Sequence, residues 1–276
     1  METVEVNRTA SPTDAYLVGG VASGWNRFRD SGRTLVSRAS GSKIWDTEGK
    51  EYIDWIMGWG SLILGHNPEP VLTAIKESFD VGFGYQYESP LQGELASAIC
   101  DAVPCAERVR FANSGTEATL HAVRIARAAT GRPRIIKFEG HFHGLNDYLL
   151  FGVDCGKELG ALDAEGFIQP VPGSAGLPSD ALEATVVVVP FNDPDAVERA
   201  FKRYEGEIAG IILEPVALNI GCVAPLPGFL ARLRELCNDN GSLLIFDEVL
   251  TGFRAAYGGA GERFGVLPDL VCLGKA

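Results

Sequence analysis

Three short stretches of this sequence hold residues whose types and surroundings suit chemistry. In Asn113-Ser114-Gly115-Thr116, two hydroxyls and a glycine stand just before the amphipathic run Glu117 to Ala129. A helix start presents unpaired N–H groups and the positive end of the peptide dipole, and a glycine lets a ligand approach the backbone closely. The stretch suits a phosphate; it equally suits an ordinary helix cap in which Glu117 partners Ser114 in a capping box. Asp247 ends the apolar run SLLIFD. A carboxylate at the carboxyl end of a buried strand sits where open α/β sheets bind ligands, with a metal ligand or a structural acid as the alternatives. Lys275 follows DLVCLG, 28 residues after Asp247 (275 − 247), which leaves room for one crossover back to the same edge. Partial burial there would lower its pKa and make a neutral, nucleophilic amine available, although a lone lysine near a chain end is ordinarily a solvated surface residue.

Taken as a triple, these stretches match the requirements of pyridoxal 5'-phosphate (PLP). That cofactor needs an anion site, an acid that keeps its pyridine nitrogen protonated so that the ring draws electrons, and an amine that forms a Schiff base and moves protons. His141 and His143 form an H-x-H pair with no acidic or cysteine partner at ligand spacing, so no metal site is expected.

The elements that must position these residues follow from periodicity. RIIKF (Arg134 to Phe138), TVVVVPF (Thr185 to Phe191), IAGIILEP (Ile208 to Pro215), SLLIFDEV (Ser242 to Val249) and DLVCLG (Asp269 to Gly274) are short, apolar and rich in β-branched residues. Strands buried on both faces of a mostly parallel sheet read this way. Between them, Glu117 to Ala129, Asp193 to Tyr204 and Gly228 to Asn240 are amphipathic and long enough for crossover helices, so the fold class is α/β. The beginning differs. Ser40 to Trp55 alternates around a D-x-x-G-K turn and predicts a hairpin, followed by a glycine-rich loop and a helix from about Pro68. Residues 1–75 are therefore expected to belong to a smaller lobe, and residues 76–276 to a larger, cofactor-binding domain.

Composition narrows the partners. The chain has 276 residues, 24 basic against 36 acidic, for a formal charge of −12, which repels nucleic-acid backbones and anionic lipid; no basic patch offsets it. The first residues lack both the basic and the apolar region of a secretory leader, no apolar run approaches the length of a membrane helix, and a cytoplasmic location is expected. Six cysteines stand far apart without a C-x-x-C, which suits reduced thiols, most of them small core residues.

Nearly the whole chain resembles the class III aminotransferases of PLP fold type I, in particular the branch containing glutamate-1-semialdehyde aminomutase. The resemblance rests on Gly19-Gly20-Val21, GWGSLILGH (Gly58 to His66), NSGTEA, IIKFEGHFHG (Ile135 to Gly144), EPVALNIG (Glu214 to Gly221), LLIFDEVLTGFR and PDLVCLGKA. It implies that Ser114, Gly115 and Thr116 bind the PLP phosphate, that Phe142 stacks on one ring face and Val249 presses on the other, and that Asn219 lies near the phenolic oxygen. It further implies that Asp247 pairs with the pyridinium nitrogen and that Lys275 is the Schiff-base lysine, with Trp59 lining the substrate pocket or simply packing in the core. The family forms homodimers and continues beyond the position of Ala276, so the chain is expected to be truncated at its C-terminus, with weak PLP binding on its own. Two segments depart from the aminomutase pattern, Ala22 to Arg27 (ASGWNR) and Tyr85 to Pro90 (YQYESP), where the family touches substrate. A transaminase is therefore expected ahead of the aminomutase, which keeps a single substrate bound and exchanges its amino group internally. A non-catalytic, truncated PLP-fold chain is the third reading.

Overall fold

A computed structural model describes residues 16–18, 22, 34–82, 84, 86–153, 160–178 and 185–276. The described residues up to Trp55, with Leu64–Thr73, pack as one compact unit; Ile56–Ile63 and the described residues from Ala74 onward pack as another. In the first unit, β1 (Val36–Ser40), β2 (Lys43–Asp46) and β3 (Glu51–Ile53) form an antiparallel meander in that order. The turn between β2 and β3 follows from Asp46, whose Oδ1 accepts the backbone N–H groups of Glu48 and Lys50, and from Gly49 at φ 86°. Helix α1 (Glu69–Ser78) follows and runs from the first unit into the second.

The second unit holds α2 (Pro90–Ala102) and α3 (Gly115–Thr130), then β4 (Arg134–Phe138), β5 (Val186–Val189), α4 (Pro194–Arg203), β6 (Ile208–Leu213), α5 (Phe229–Asn240), β7 (Leu243–Glu248), α6 (Gly259–Phe264) and β8 (Leu270–Leu273). Its strands form one parallel sheet in the order β5-β4-β6-β7-β8. β5 and β6 are buried along their whole length because both faces are covered, by helices on both faces of β6 and by helix α4 on one face of β5 and Ile168 on the other. Ile136, Phe138, Ile211, Leu213 and Phe246 pack with α4 and α5 on one face, and Ile135, Ile212 and Ile245 pack with Ala122, Val123 and Ala126 of α3 on the other. That two-sided burial is why the strands read as continuous apolar runs rather than as an alternation.

Helix ends follow their capping residues. Ser114 starts α3, and Gly131 at φ 69° ends it in the left-handed conformation that a side chain would make costly. α2 has no counterpart among the helices anticipated from periodicity. Its start is nevertheless set locally: Pro90 opens it, where a missing N–H costs nothing, and the Gln92 side chain accepts the Ser89 N–H at 2.8 Å. Of the five cysteines described, only Cys237 and Cys272 are buried, and Cys222 is exposed, which corrects the expectation that most lie in the core.

All five strands point the same way, so every strand's carboxyl end lies on one edge of the sheet. The chain leaves β4 toward β5 on one side, then returns past β4 to build β6, β7 and β8 on the other. Adjacent strands β4 and β6 therefore send the chain in opposite directions, a reversal of strand order of the kind at which such sheets bind ligands.

Candidate active site

Asp247, near the end of β7, is buried, with 4% of its surface exposed. Its Oδ1 accepts the Val249 N–H at 3.1 Å, and its Oδ2 is hydrogen-bonded to His143 Nδ1 at 2.7 Å. Burial pushes the carboxyl up to about 7, against the pull of the Val249 N–H and the Lys275 charge. Burial likewise holds the fully enclosed His143 imidazole well below its ordinary range, so it is neutral and orients the carboxylate without neutralising it.

Lys275 follows β8 and Gly274; its own backbone stands at φ 58°, and the residue is half-buried. Burial lowers its pKa, Asp247 and Glu214 pull it back up, and Arg254 lowers it further. Val249 joins these parts: a Cβ on Gly115 would come within 3.0 Å of its Cγ2, and one on Gly274 within 3.3 Å of its Cγ1. The start of α3, the end of β7 and the end of β8 thus meet at one branched side chain.

The Ser114 hydroxyl accepts the Glu117 N–H at 3.2 Å, and Glu117 Oε2 in turn accepts the Asn113 N–H at 2.7 Å. This is the ordinary cap anticipated as the alternative, displaced by one residue in its return bond. It leaves the Gly115 and Thr116 N–H groups without a partner among the described residues. A cavity of about 420 Å³ borders Asn113, Ser114, Gly115 and Lys275 and runs along the outer edge of β8.

The loop after β4 is fastened to this constellation. Thr116 Oγ1 accepts the Leu145 N–H at 3.2 Å, and Thr119 Oγ1 donates to the His143 carbonyl at 2.8 Å. The approach is so close that a Cβ on Gly144, at φ 85°, would lie 2.7 Å from the Thr116 Cα. Phe142, half-buried in this loop, donates its backbone N–H to Glu214 Oε1 at 2.8 Å. Asn219, in the loop after β6, donates from Nδ2 to the Gly140 carbonyl at 3.3 Å. Trp59 stands apart at φ 56° with 52% of its surface exposed, and its loop meets the segment after β7 through Gly60, whose carbonyl accepts from Arg254 Nη2. Gly19 to Val21 and most of Ala22 to Arg27, with Tyr85, lie outside the described residues.

Three buried polar residues of this edge were not singled out by their chemistry in the sequence: Lys137, His143 in its pairing with Asp247, and Glu214. A signal existed for two of them. Lys137 interrupts an otherwise apolar strand, and Glu214 directly follows a buried strand, as an acid placed by the same logic as Asp247.

Residues 27–276 match the sequence family described as Aminotransferase class-III. The chain belongs to the class-III aminotransferase family. Its curated relatives include the glutamate-1-semialdehyde 2,1-aminomutases of Persephonella marina and Aquifex aeolicus, each 46% identical over 94% of this chain. The chain spans 59% of the length of either relative. Among solved structures it resembles an omega-transaminase from Sphaerobacter thermophilus, with a TM-score of 0.87 and 34% identity over 94% of this chain and 58% of that one. A structure described as a transaminase with PLP bound follows at a TM-score of 0.85 and 31% identity, again over 94% and 58%. These likenesses establish the fold type I architecture. PLP is the cofactor of this family, and the residues present fit it: unpaired N–H groups at the start of α3 for a phosphate, a buried acid with a neutral imidazole behind it, and a half-buried amine. Among the described residues no helix is long and apolar enough to cross a membrane.

Proposed function

We propose that this chain carries the cofactor-binding half of a PLP-dependent aminotransferase that moves an amino group from a donor to an oxo acceptor. The reading is carried by one observation: the buried Asp247, the half-buried Lys275 and the open first turn of α3 converge on Val249. When bound, PLP supplies an electron sink for charge developing at the substrate carbon. Ser114, Gly115 and Thr116 would hold its phosphate with N–H and hydroxyl donors. Asp247 would pair with the ring nitrogen and, once ionised, keep it protonated, with His143 holding the carboxylate in orientation. Phe142 and Val249 would fix the ring plane and Asn219 its phenolic edge. The Lys275 amine would hold the cofactor covalently and carry the proton between the donor carbon and the cofactor; its lowered pKa favours the neutral form that both tasks need. Trp59 would border the substrate.

The names of the most similar curated relatives favour a second reading, an aminomutase that exchanges the amino group within one bound substrate. The departures at Ala22 to Arg27 and Tyr85 to Pro90 favour the transaminase. Helix α1 buries none of its residues and α2 only Ala102, while Leu91 and Leu95 are exposed, in keeping with a homodimer for the complete protein, to be tested by sedimentation. The experiment for the function is a donor and acceptor screen by mass spectrometry on the complete protein beside its Lys275→Ala variant. Amino transfer that requires a separate donor and disappears in the variant is expected. Transfer without a donor would establish the aminomutase, and full activity in the variant would overturn the assignment of Lys275.

A further inference from the structure

Glu214 is the first residue after β6, and only 4% of it is exposed. Its two carboxyl oxygens do different work. Oε1 accepts the backbone N–H of Phe142, in the loop after β4, at 2.8 Å. Oε2 accepts the backbone N–H of Leu218, in the loop after β6, at 3.1 Å. The Glu214 backbone N–H is also engaged, donating to His141 Nδ1 at 3.0 Å. One residue therefore ties together the two loops that follow the strands at the reversal of strand order. On the far side of the first loop, Lys137 Nζ donates to the His141 carbonyl at 3.2 Å and to the Phe151 carbonyl, so the turn bearing Phe142 is gripped from both strands.

From this geometry we infer that Glu214 is a positioning residue for the cofactor ring, fixing Phe142 over its face and Asn219 at its edge at one spacing. The inference rests on the PLP reading of the site, but nothing in that reading requires it. Glu214 makes none of the anion contacts, which belong to the start of α3. Its loss should accordingly loosen the ring while leaving the phosphate site intact. Above the value of about 7 to which burial pushes it, Glu214 is a carboxylate and both oxygens accept, whereas an amide of the same size has one acceptor and one donor that would face an N–H group, so the comparison is made at pH 8.5.

The test compares the complete protein with its Glu214→Gln variant. Three quantities are read: the dissociation constant for PLP, the circular dichroism induced in the bound PLP band per mole bound, and the dissociation constant for inorganic phosphate. In the variant, PLP binding is expected to weaken about tenfold, as loss of one buried hydrogen bond allows. The induced ellipticity per bound PLP should fall and phosphate affinity should stay as in the parent. Unchanged PLP affinity and ellipticity would overturn the inference, as would equal losses for PLP and phosphate, which would mean that Glu214 merely holds the fold. A parent protein that binds no PLP would overturn the PLP reading itself, a result distinct from either. If urea midpoints show that Glu214→Gln folds poorly, Glu214→Asp keeps the charge one methylene short of both N–H groups and carries the same expectations.

Discussion

Asp247→Asn should make the cofactor-free protein progressively more stable than its parent as pH rises, while weakening its hold on PLP. The carboxyl is pushed from 3.8 up to about 7 by burial. At about 1.4 kcal/mol per pH unit, that difference makes ionised Asp247 a burden of roughly 4 kcal/mol on the empty fold. Between about pH 4 and pH 7 the folded chain keeps a proton that the unfolded chain has released, so this group's contribution to stability falls as pH rises through that window. Asparagine does not titrate. It adds a penalty of its own: with its oxygen accepting the Val249 N–H, its amide nitrogen can only donate to His143 Nδ1, which puts the imidazole proton on the buried and unpartnered Nε2, at about 1–3 kcal/mol. That penalty is the same at both ends of the range. The stability difference between variant and parent should therefore shift by roughly 4 kcal/mol in the variant's favour from pH 4 to pH 8. Glu214, also pushed up to about 7, chiefly by burial and partly by the Asp247 charge, titrates in both proteins; loss of that charge in the variant moves the difference in the same direction. Urea unfolding of the two cofactor-free proteins at half-unit intervals measures the shift. PLP titration at pH 8 should show the opposite ranking, since the ionised acid is what a protonated ring nitrogen meets. Parallel stability curves for the two proteins would refute the account of Asp247 as a carboxylate strained by burial.

Two other perturbations follow from the same edge. Gly144→Ala drives a methyl group against Thr116, 2.7 Å from its Cα, at a backbone φ of 85°, and should cost about 2–3 kcal/mol in urea unfolding while weakening phosphate affinity through displacement of α3's first turn. Lys137 has its pKa lowered from 10.5 to about 8 by burial, so the folded chain has released a proton between those values that the unfolded chain still holds, and stability should rise with pH there. Relative to Lys137→Met, the parent should gain roughly 3 kcal/mol from pH 8 to pH 10.5, measured by denaturant unfolding; a flat difference would mean that the ammonium is not desolvated.

Much of this molecule could be read from local pattern. Strands such as VVVV at Val186–Val189 and IAGIIL at Ile208–Leu213 are unbroken in hydrophobicity because both faces are covered, and that property belongs to the residues themselves. Helix α3 is bounded by Ser114 and Gly131, whose capping preferences are local as well. Asp247 and Lys275 could be assigned to strand ends because each follows an apolar run, and a parallel sheet brings all such ends to one edge. The order of the strands was beyond sequence alone, since hydrogen bonds between parallel neighbours carry no trace of which neighbour is chosen. That order decides that the chain leaves β4 and β6 in opposite directions and that one buried carboxylate, Glu214, ties the loops that follow them. It also gives His143 to Asp247 across 104 residues, a partner that the H-x-H spacing did not suggest. Contacts of that separation depend on how the helices set the loops against the sheet, and only the folded chain supplies that arrangement.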